Sequence, residues 1–392
     1  MREKKLVNYL VGNQKFSFNS LSPYDPLVCE FLDTFSKNLN NDKKVNDLSD
    51  LKTLAFWCRK KNIEIFKKKN ETKDLRLGLG LIFHVTPSNI PTNFAYSLIF
   101  GLLTGNSNIV KVPSRNFEQI KIICNNLNKT LKIKKFSKLK DMIKIVKYTK
   151  NDKFTEQLSK ICDARIIWGG NEIRRFKLQE RSLDLAFADR FSLCIIDAKK
   201  LFKIKDEESK KLFQKFYNDT YLVDQNACSS PHLLLWLNDS SSKAKTFFWN
   251  GFAKYLENKY DLPDLGLLEK QTKLYNDLAI SKNIQSHQII NKYLYLVKLK
   301  KLDHEMCSLR GRWGYFYEFD IKNLNEISKF VKKNCQTLTY FGVSKKDFVK
   351  FLFKNKMNGI DRIVPIGQAL DINFHWDGYD INKVLTRIIE LK

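Results

Sequence analysis

The sequence is poor in the residues that break or staple chains. Fifteen glycines and eight prolines in 392 residues exclude a collagen-like or Gly/Pro-rich repetitive protein. The eight cysteines (Cys29, Cys58, Cys124, Cys162, Cys194, Cys228, Cys307 and Cys335) include no C-x-x-C pair, and no two lie closer than 28 residues. That excludes zinc ribbons and paired redox thiols, and no metal site is expected. Scattered reduced thiols point to the cytosol. No apolar stretch reaches the roughly 20 residues that span a bilayer. The most apolar region, 78–105, is interrupted by His84, Pro87, Asn89, Pro91 and Asn93. The opening MREKKLVNYLVGNQKF has neither the apolar core nor the cleavage site of a signal peptide. The expectation is a cytoplasmic protein, not integral to a membrane.

Arginine is scarce too. The net charge is +27, from 69 basic against 42 acidic residues, yet only 13 of the 69 are Arg. Arginine supplies the planar fork that reads phosphates and guanines, so nucleic acid is not an expected partner. The lysine runs at 67–69 and 129–140 read as solvated faces. A field of this sign does assist the approach of anionic ligands. With 43% hydrophobic and 13% aromatic residues, the chain has ample material for a core.

From residue 75 short apolar runs alternate with helical-period segments. LGLGLIFHV, NIVKVPS, IKIVKYT and ARIIWGG read as strands. FAYSLIFGLLTG, 117–132, FTEQLSKIC and NEIRRFKLQ read as helices between them. Such alternation predicts a parallel α/β sheet with right-handed crossovers. Residues 1–74 read as a helical, polar lead-in. After about 205 the pattern restarts: a helix over 207–221, the strand HLLLWL, helices over 243–259 and 265–282, then YLYLVKLK, YFYEF and LTYFGV interleaved with ISKFVKK and DFVKFLFKN. RIVPIG as a strand and DINKVLTRIIELK as a helix close the chain. The expected architecture is two α/β domains: 1–204, with 361–392 returning to complete it, and 205–360.

Three segments place polar residues where strands end. In open α/β sheets ligands lie at the carboxyl ends of strands. Asn89, in HVTPSNIP, sits between two prolines that stiffen its loop; such an amide suits oxyanion stabilisation, and an Asx-turn residue is the plain alternative. Lys111 and Ser114 follow in KVPS, where the lysine can pair with a ribose or phosphate, though 55 other lysines dilute that claim. Trp168, Gly169 and Gly170 form a strand–glycine–helix turn whose backbone can approach a phosphate. Cys228 is the thiol in the most unusual company: DQNACSSPH is a polar loop just before an apolar strand, suited to an accessible nucleophile. His232, four residues on, is either its base or a packed polar residue.

Together these segments resemble the aldehyde dehydrogenase superfamily and, within it, the LuxC family of acyl-CoA reductases. The resemblance runs over about 75–390 and is carried by GLGLIFHVTPSNIPTNFAYSLIFGLLTGNSNIVKVPS, IIWGG, DQNACSSP, CQTLTYFGV and RIVPIGQALDINFHWDGYDINKVLTRII. It implies an aldehyde-dehydrogenase-like α/β fold with a nucleotide-binding and a catalytic domain. It also implies reduction of a fatty acyl thioester to the aldehyde with NADPH through an acyl-cysteine. Cys228 then matches the nucleophile and Asn89 the asparagine that, with the cysteine's own N–H, holds the oxyanion. Lys111 matches the lysine that reaches the ribose or its 2′-phosphate; Gly169 and Gly170 would lie near the pyrophosphate. Acyl-CoA is the implied substrate, and a homo-oligomer and an acyl-protein synthetase partner are further expectations. Where hydrolytic relatives carry a glutamate that activates water, this chain has FADRFSLCIID, with none. That favours a thioester reductase over an acid-forming enzyme. A short-chain CoA-acylating aldehyde dehydrogenase using NAD, and more remotely a non-catalytic basic binding protein, are the alternatives.

Overall fold

The computed structural model describes residues 7–87, 89–149, 152–169, 174–187, 190–239, 242–303, 305 and 308–392. The chain divides into two compact units, Met1–Ala188 with Phe374–Lys392, and Asp189–Asn373. Among the described residues no helix is long and apolar enough to cross a membrane.

The first unit begins with strand β1 (Asn8–Val11) and helices α1 (Pro26–Asn40), α2 (Ser49–Trp57) and α3 (Lys60–Lys69). These residues are not a polar lead-in. Asp25 caps α1 by accepting from Leu27 and Val28 N–H, with Pro26 in the first turn. The helix then buries Val28, Phe31, Leu32, Phe35 and Leu39 to 1% exposure or less. That 3.6-residue stripe is easily overlooked among the surrounding lysines and asparagines.

LGLGLIFHV forms two strands, β2 (Leu75–Gly78) and β3 (Leu81–Val85). Gly80 breaks them: its φ is +136°, and a Cβ there would meet the Asp163 carboxylate at 2.2 Å. Then come α4 (Asn93–Leu103), β4 (Ser107–Lys111), α5 (Glu118–Leu131), β5 (Ile143–Lys147), α6 (Asp152–Ile161), β6 (Ala164–Trp168) and β7 (Leu183–Phe187). The sheet order is β1-β5-β4-β3-β6-β7, with β3 to β7 parallel and β1 antiparallel at the edge. From β3 the chain steps outward to β4 and β5, then returns to place β6 on the other side of β3. That reversal leaves a crevice at the carboxyl ends of β3 and β6.

The second unit comprises β8 (Phe191–Asp197), α7 (Ala198–Leu201), α8 (Asp206–Thr220), β9 (Leu233–Leu237), α9 (Lys243–Glu257), α10 (Asp264–Ile280), β10 (Ile284–Ile290), β11 (Leu294–Leu299), β12 (Tyr315–Ile321), β13 (Cys335–Phe341), α11 (Lys345–Lys354) and β14 (Arg362–Pro365). Its sheet runs β10-β11-β12-β9-β8-β13-β14, parallel except for the β10–β11 hairpin. Alternate residues feed two cores, as the two-residue strand period requires. Leu193, Ile195, Leu233 and Leu235 pack with Leu274, Phe348 and Phe351 on one face. Cys194, Ile196, Leu234 and Trp236 pack with Phe213, Phe216, Trp249 and Phe252 on the other. ISKFVKK, expected as a helix, keeps only a 3-10 segment that ends at Lys329.

The chain ends back in the first unit with β15 (His375–Trp376), β16 (Tyr379–Asp380), α12 (Ile381–Val384) and β17 (Thr386–Ile389). The expected terminal helix is therefore one turn followed by a strand. β17 pairs antiparallel with β2, and Arg76 of β2 reaches across to the Thr386 hydroxyl at 2.8 Å and the Lys383 carbonyl at 3.1 Å. A waiting edge and two β-branched isoleucines overrode the helical period.

Candidate active site

In the first unit the candidates gather at the carboxyl edge. Asn89 is exposed in the loop from β3 to α4. Thr86, in the same loop, donates its N–H (3.3 Å) and hydroxyl (2.8 Å) to the Lys111 carbonyl, tying the loop to the end of β4. Lys111 itself is half-buried with Nζ 5.1 Å above the Tyr148 ring, and burial lowers its pKa. Ser114 is exposed in the loop from β4 to α5.

Gly169 follows β6 with φ +92°, a conformation that favours glycine, and its N–H donates to the Phe187 carbonyl at 2.9 Å. A Cβ placed there would lie 3.8 Å from Pro87, so this turn and the Asn89 loop face each other across the crevice. Gly170 lies outside the described residues. The helix expected from Asn171 is not found in the described part of that segment. Residues 174 and 175 belong to a piece of 3-10 helix, and 177–179 are irregular chain. Tertiary bonds hold it instead: Arg165 donates to Phe176 O at 2.9 Å, and Gln179 and Ser182 both donate to Cys162 O.

The Trp168 indole is committed to the core. Its N–H donates to Ser97 Oγ (2.8 Å), Ser97 Oγ meets His84 Nδ1 (2.7 Å), and His84 Nε2 meets Asn108 Oδ1 (2.9 Å). Because Asn108 Oδ1 only accepts, Nε2 carries the proton, and the chain of donors runs one way from indole to amide. Burial pushes the His84 pKa down to about 4, so the ring is neutral. Trp168 can therefore offer a ligand its backbone and the rigidity of its strand end, not its indole.

In the second unit everything centres on the turn before β9. After α8 the chain turns sharply through Asp224 (φ +52°) and Gln225 (φ +60°), two successive left-handed residues that are not glycine. Buried Gln225 holds the turn: its amide donates to Pro231 O (3.0 Å) and Tyr315 O (3.3 Å) and accepts from Gly314 N–H (3.0 Å). The Asp224 carboxylate accepts from Tyr260 OH at 2.6 Å. Ser192 Oγ donates to Cys228 O (2.7 Å) and accepts from Thr337 N–H (3.2 Å).

The turn presents Cys228 half-buried, with the amide of fully buried Gln336 donating to its Sγ at 3.4 Å. Burial raises the other thiols: Cys29 to about 11, Cys124, Cys162 and Cys194 to about 12, and Cys58 further still. Those five stay protonated at neutral pH. Cys335 is also buried, and Cys307 lies outside the described residues.

His232 is not equipped to be the base. It is buried, stacks on Phe191 at 6.0 Å, and its Nδ1 accepts from Gly311 N–H at 3.2 Å. Burial, with Arg310 and Arg312 adding to it, drops its pKa to about 3, far too low to draw a proton from a thiol. Gln336 lies in CQTLTYFGV, a segment that the sequence marks out without marking this residue. Its signal was there: an amide inside an otherwise buried strand must have a partner. Among the described residues no cluster of His, Cys, Asp or Glu could hold a metal ion.

Comparison with solved structures shows the fold. Aldehyde dehydrogenase 21 from Physcomitrella patens is 9% identical at a TM-score of 0.64, covering 94% of this chain and 86% of that one. Lactaldehyde dehydrogenase from Escherichia coli is 12% identical at 0.61, covering 94% and 87%. A putative aldehyde dehydrogenase from Burkholderia cenocepacia is 10% identical at 0.59, covering 88% and 79%. This is the aldehyde dehydrogenase fold expected from the sequence. No curated protein sequence matches the chain. The family described as Acyl-CoA reductase (LuxC) matches residues 46–388, which take in the whole of the second unit and most of the first, and the chain belongs to the LuxC family of acyl-CoA reductases.

Proposed function

We propose that the protein reduces a fatty acyl thioester to the aldehyde with NADPH, through an acyl group carried on Cys228. The observation that carries this is the Cys228 turn: a half-buried thiol on a braced loop, with a buried amide N–H directed at its sulfur. A hydrogen bond to the thiolate favours the charged, nucleophilic form. Cys228 Sγ attacks the thioester carbonyl, the new S–C bond replaces the old one, and the departing thiol leaves with the proton given up by Cys228. The acyl-enzyme keeps the thioester's reactivity. With no glutamate in FADRFSLCIID to activate water, its hydrolysis is slow.

The first unit supplies residues that fit a nucleotide cofactor. Gly169 leaves the crevice floor open, Lys111 offers a cation whose charge burial leaves poorly solvated, and Ser114 adds a hydroxyl. A 2′-phosphate is well matched to Lys111, which is the support for NADPH over NADH. When bound, the cofactor supplies the hydride that reduces the acyl group. Asn89 is assigned to the acyl oxygen on the family resemblance, as an amide donor. The acyl donor is acyl-CoA or the acyl group of a partner synthetase, and a homo-oligomer is the proposed assembly.

The test is NADPH consumption and aldehyde release over a panel of acyl-CoA chain lengths, for wild type and Cys228→Ala. Turnover abolished in the variant supports the reading; turnover retained removes Cys228 from the mechanism. Equal kcat/KM with NADH would remove the assignment of Lys111 to a 2′-phosphate.

A further inference from the structure

A second pocket adjoins the Cys228 turn. β9 and β12 are parallel neighbours, with Leu233 paired to Tyr317, so the segments entering them lie side by side at the amino edge of the sheet. Cys228 is in one; Arg310, Gly311, Arg312, Trp313 and Gly314 form the other. They touch: Gly311 N–H donates to His232, Gly314 N–H to Gln225, and Trp313 N–H to Asp224 O at 3.3 Å. Between this segment and α10 is a cavity of about 180 Å³, lined by Glu269, Lys270, Lys273, Arg310, Arg312, Trp313 and Tyr315.

Three features mark this cavity as built. Trp313 holds φ +60°, a costly conformation for a bulky residue. Its indole N–H is fixed by Glu269 at 2.8 Å, and its ring packs where α10 has Gly266, at which any Cβ would come within 2.8 Å of it. Lys270 is 1% exposed, donates to the carbonyls of Lys292 and Tyr293, and pairs with no carboxylate among the described residues. Burial pulls its pKa down to about 7, so an anion entering the cavity would stabilise its charge. And in a chain that uses lysine nearly everywhere, Arg310 and Arg312 are the only arginines between Phe191 and Asp361. Exposed Arg312 makes no hydrogen bond or ion pair among the described residues. Lys273 is already paired with Asp277.

We propose that this cavity takes the phosphorylated nucleotide head of the acyl donor, its phosphate against Arg312, Arg310 and Lys270 and its base against Trp313. Guanidinium forks match phosphate oxygens, and an indole face stacks with any base. This rests on the reading of Cys228 as the acceptor of a nucleotide-linked thioester, and adds where that nucleotide binds.

The experiment compares acyl-CoA with acyl-pantetheine, the same thioester without its nucleotide, in wild type, Arg312→Gln and Arg312→Lys. The ratio of kcat/KM between the two substrates should fall about tenfold in Arg312→Gln, with partial recovery in Arg312→Lys. Adenosine 3′,5′-bisphosphate binding, read by calorimetry, should weaken by a similar factor. An unchanged ratio together with binding indifferent to Arg312 overturns the proposal. If no thioester acylates Cys228, the functional reading fails separately. Calorimetry still decides the cavity in that event: binding that depends on Arg312 upholds it, and binding that is absent or indifferent overturns it.

Discussion

The two sheets carry their candidate residues at opposite ends. In the first unit, Asn89, Lys111 and Gly169 lie at or just beyond the carboxyl ends of β3, β4 and β6; in the second, Cys228, Ser192 and Gln336 lie at the amino ends of β9, β8 and β13. The carboxyl edge is the ordinary ligand edge of a parallel sheet, and topology alone opens a crevice there. The second unit has to assemble its site from side chains. It commits Gln225 to three bonds, Ser192 to two and a buried Gln336 amide to the sulfur, and it holds two left-handed residues in succession. A crevice supplied by topology tolerates local change; a turn held by buried polar bonds does not.

The comparison can be broken at several points. The largest effect is expected from Cys228→Ala: acyl transfer falls by at least about a thousandfold, while the thermal midpoint barely moves because the side chain is half-exposed. Stopped-flow release of the thiol product reads the first, and calorimetry the second.

Next is Gln336→Leu. A hydrogen bond to a charged partner contributes about 1.5–3 kcal/mol, so losing it should raise the pH midpoint of Cys228 alkylation by about one to two units. Iodoacetamide rates across pH 6–10 measure this. An unmoved midpoint would reduce Gln336 to packing.

Third, both units bury a neutral histidine, His84 at about 4 and His232 at about 3. The unfolded chain takes up these protons below about pH 6.5 while the native state does not. Their contribution to stability is therefore full above pH 6.5 and is lost on acidification at up to about 1.4 kcal/mol per pH unit for each ring. Asp219, whose pKa burial raises to about 7, acts in the opposite sense over the same range, so His84 is read by difference: in denaturant unfolding between pH 7 and 4.5, His84→Asn should lose about 1.4 kcal/mol per pH unit less than wild type. The smallest effect is Gly169→Ala, about 1–2 kcal/mol of strain at a positive φ, read as weaker cofactor binding with thioester attack on Cys228 unchanged.

Much of this was legible in the sequence, and the exceptions share a cause. Leu233–Leu237 is an apolar run bounded by polar chain, Ile143–Lys147 sets Ile and Val among lysines, and α4 is buried along its whole length and mostly apolar, so local pattern sufficed. Residues 386–389 misled because their partner, β2, lies some 310 positions earlier in the chain. Trp168 stood out as a turn residue, but its indole answers to Ser97 on another element. Cys228 could be picked out by the company of its neighbours. Gln336, 108 residues away, could not be joined to it without the sheet that brings β13 beside β8. What sequence leaves hidden is the pairing of distant polar groups.

The central claim is that Cys228 carries the acyl group, and it is tested most directly with cofactor left out. Incubated with a fatty acyl-CoA, the protein should release one equivalent of CoA and retain one acyl group, found by mass spectrometry on the peptide containing Cys228, removed by hydroxylamine and scarcely hydrolysed to free acid. An acyl group on another residue, or none with every acyl-CoA tried while the intact protein still forms aldehyde, would contradict it.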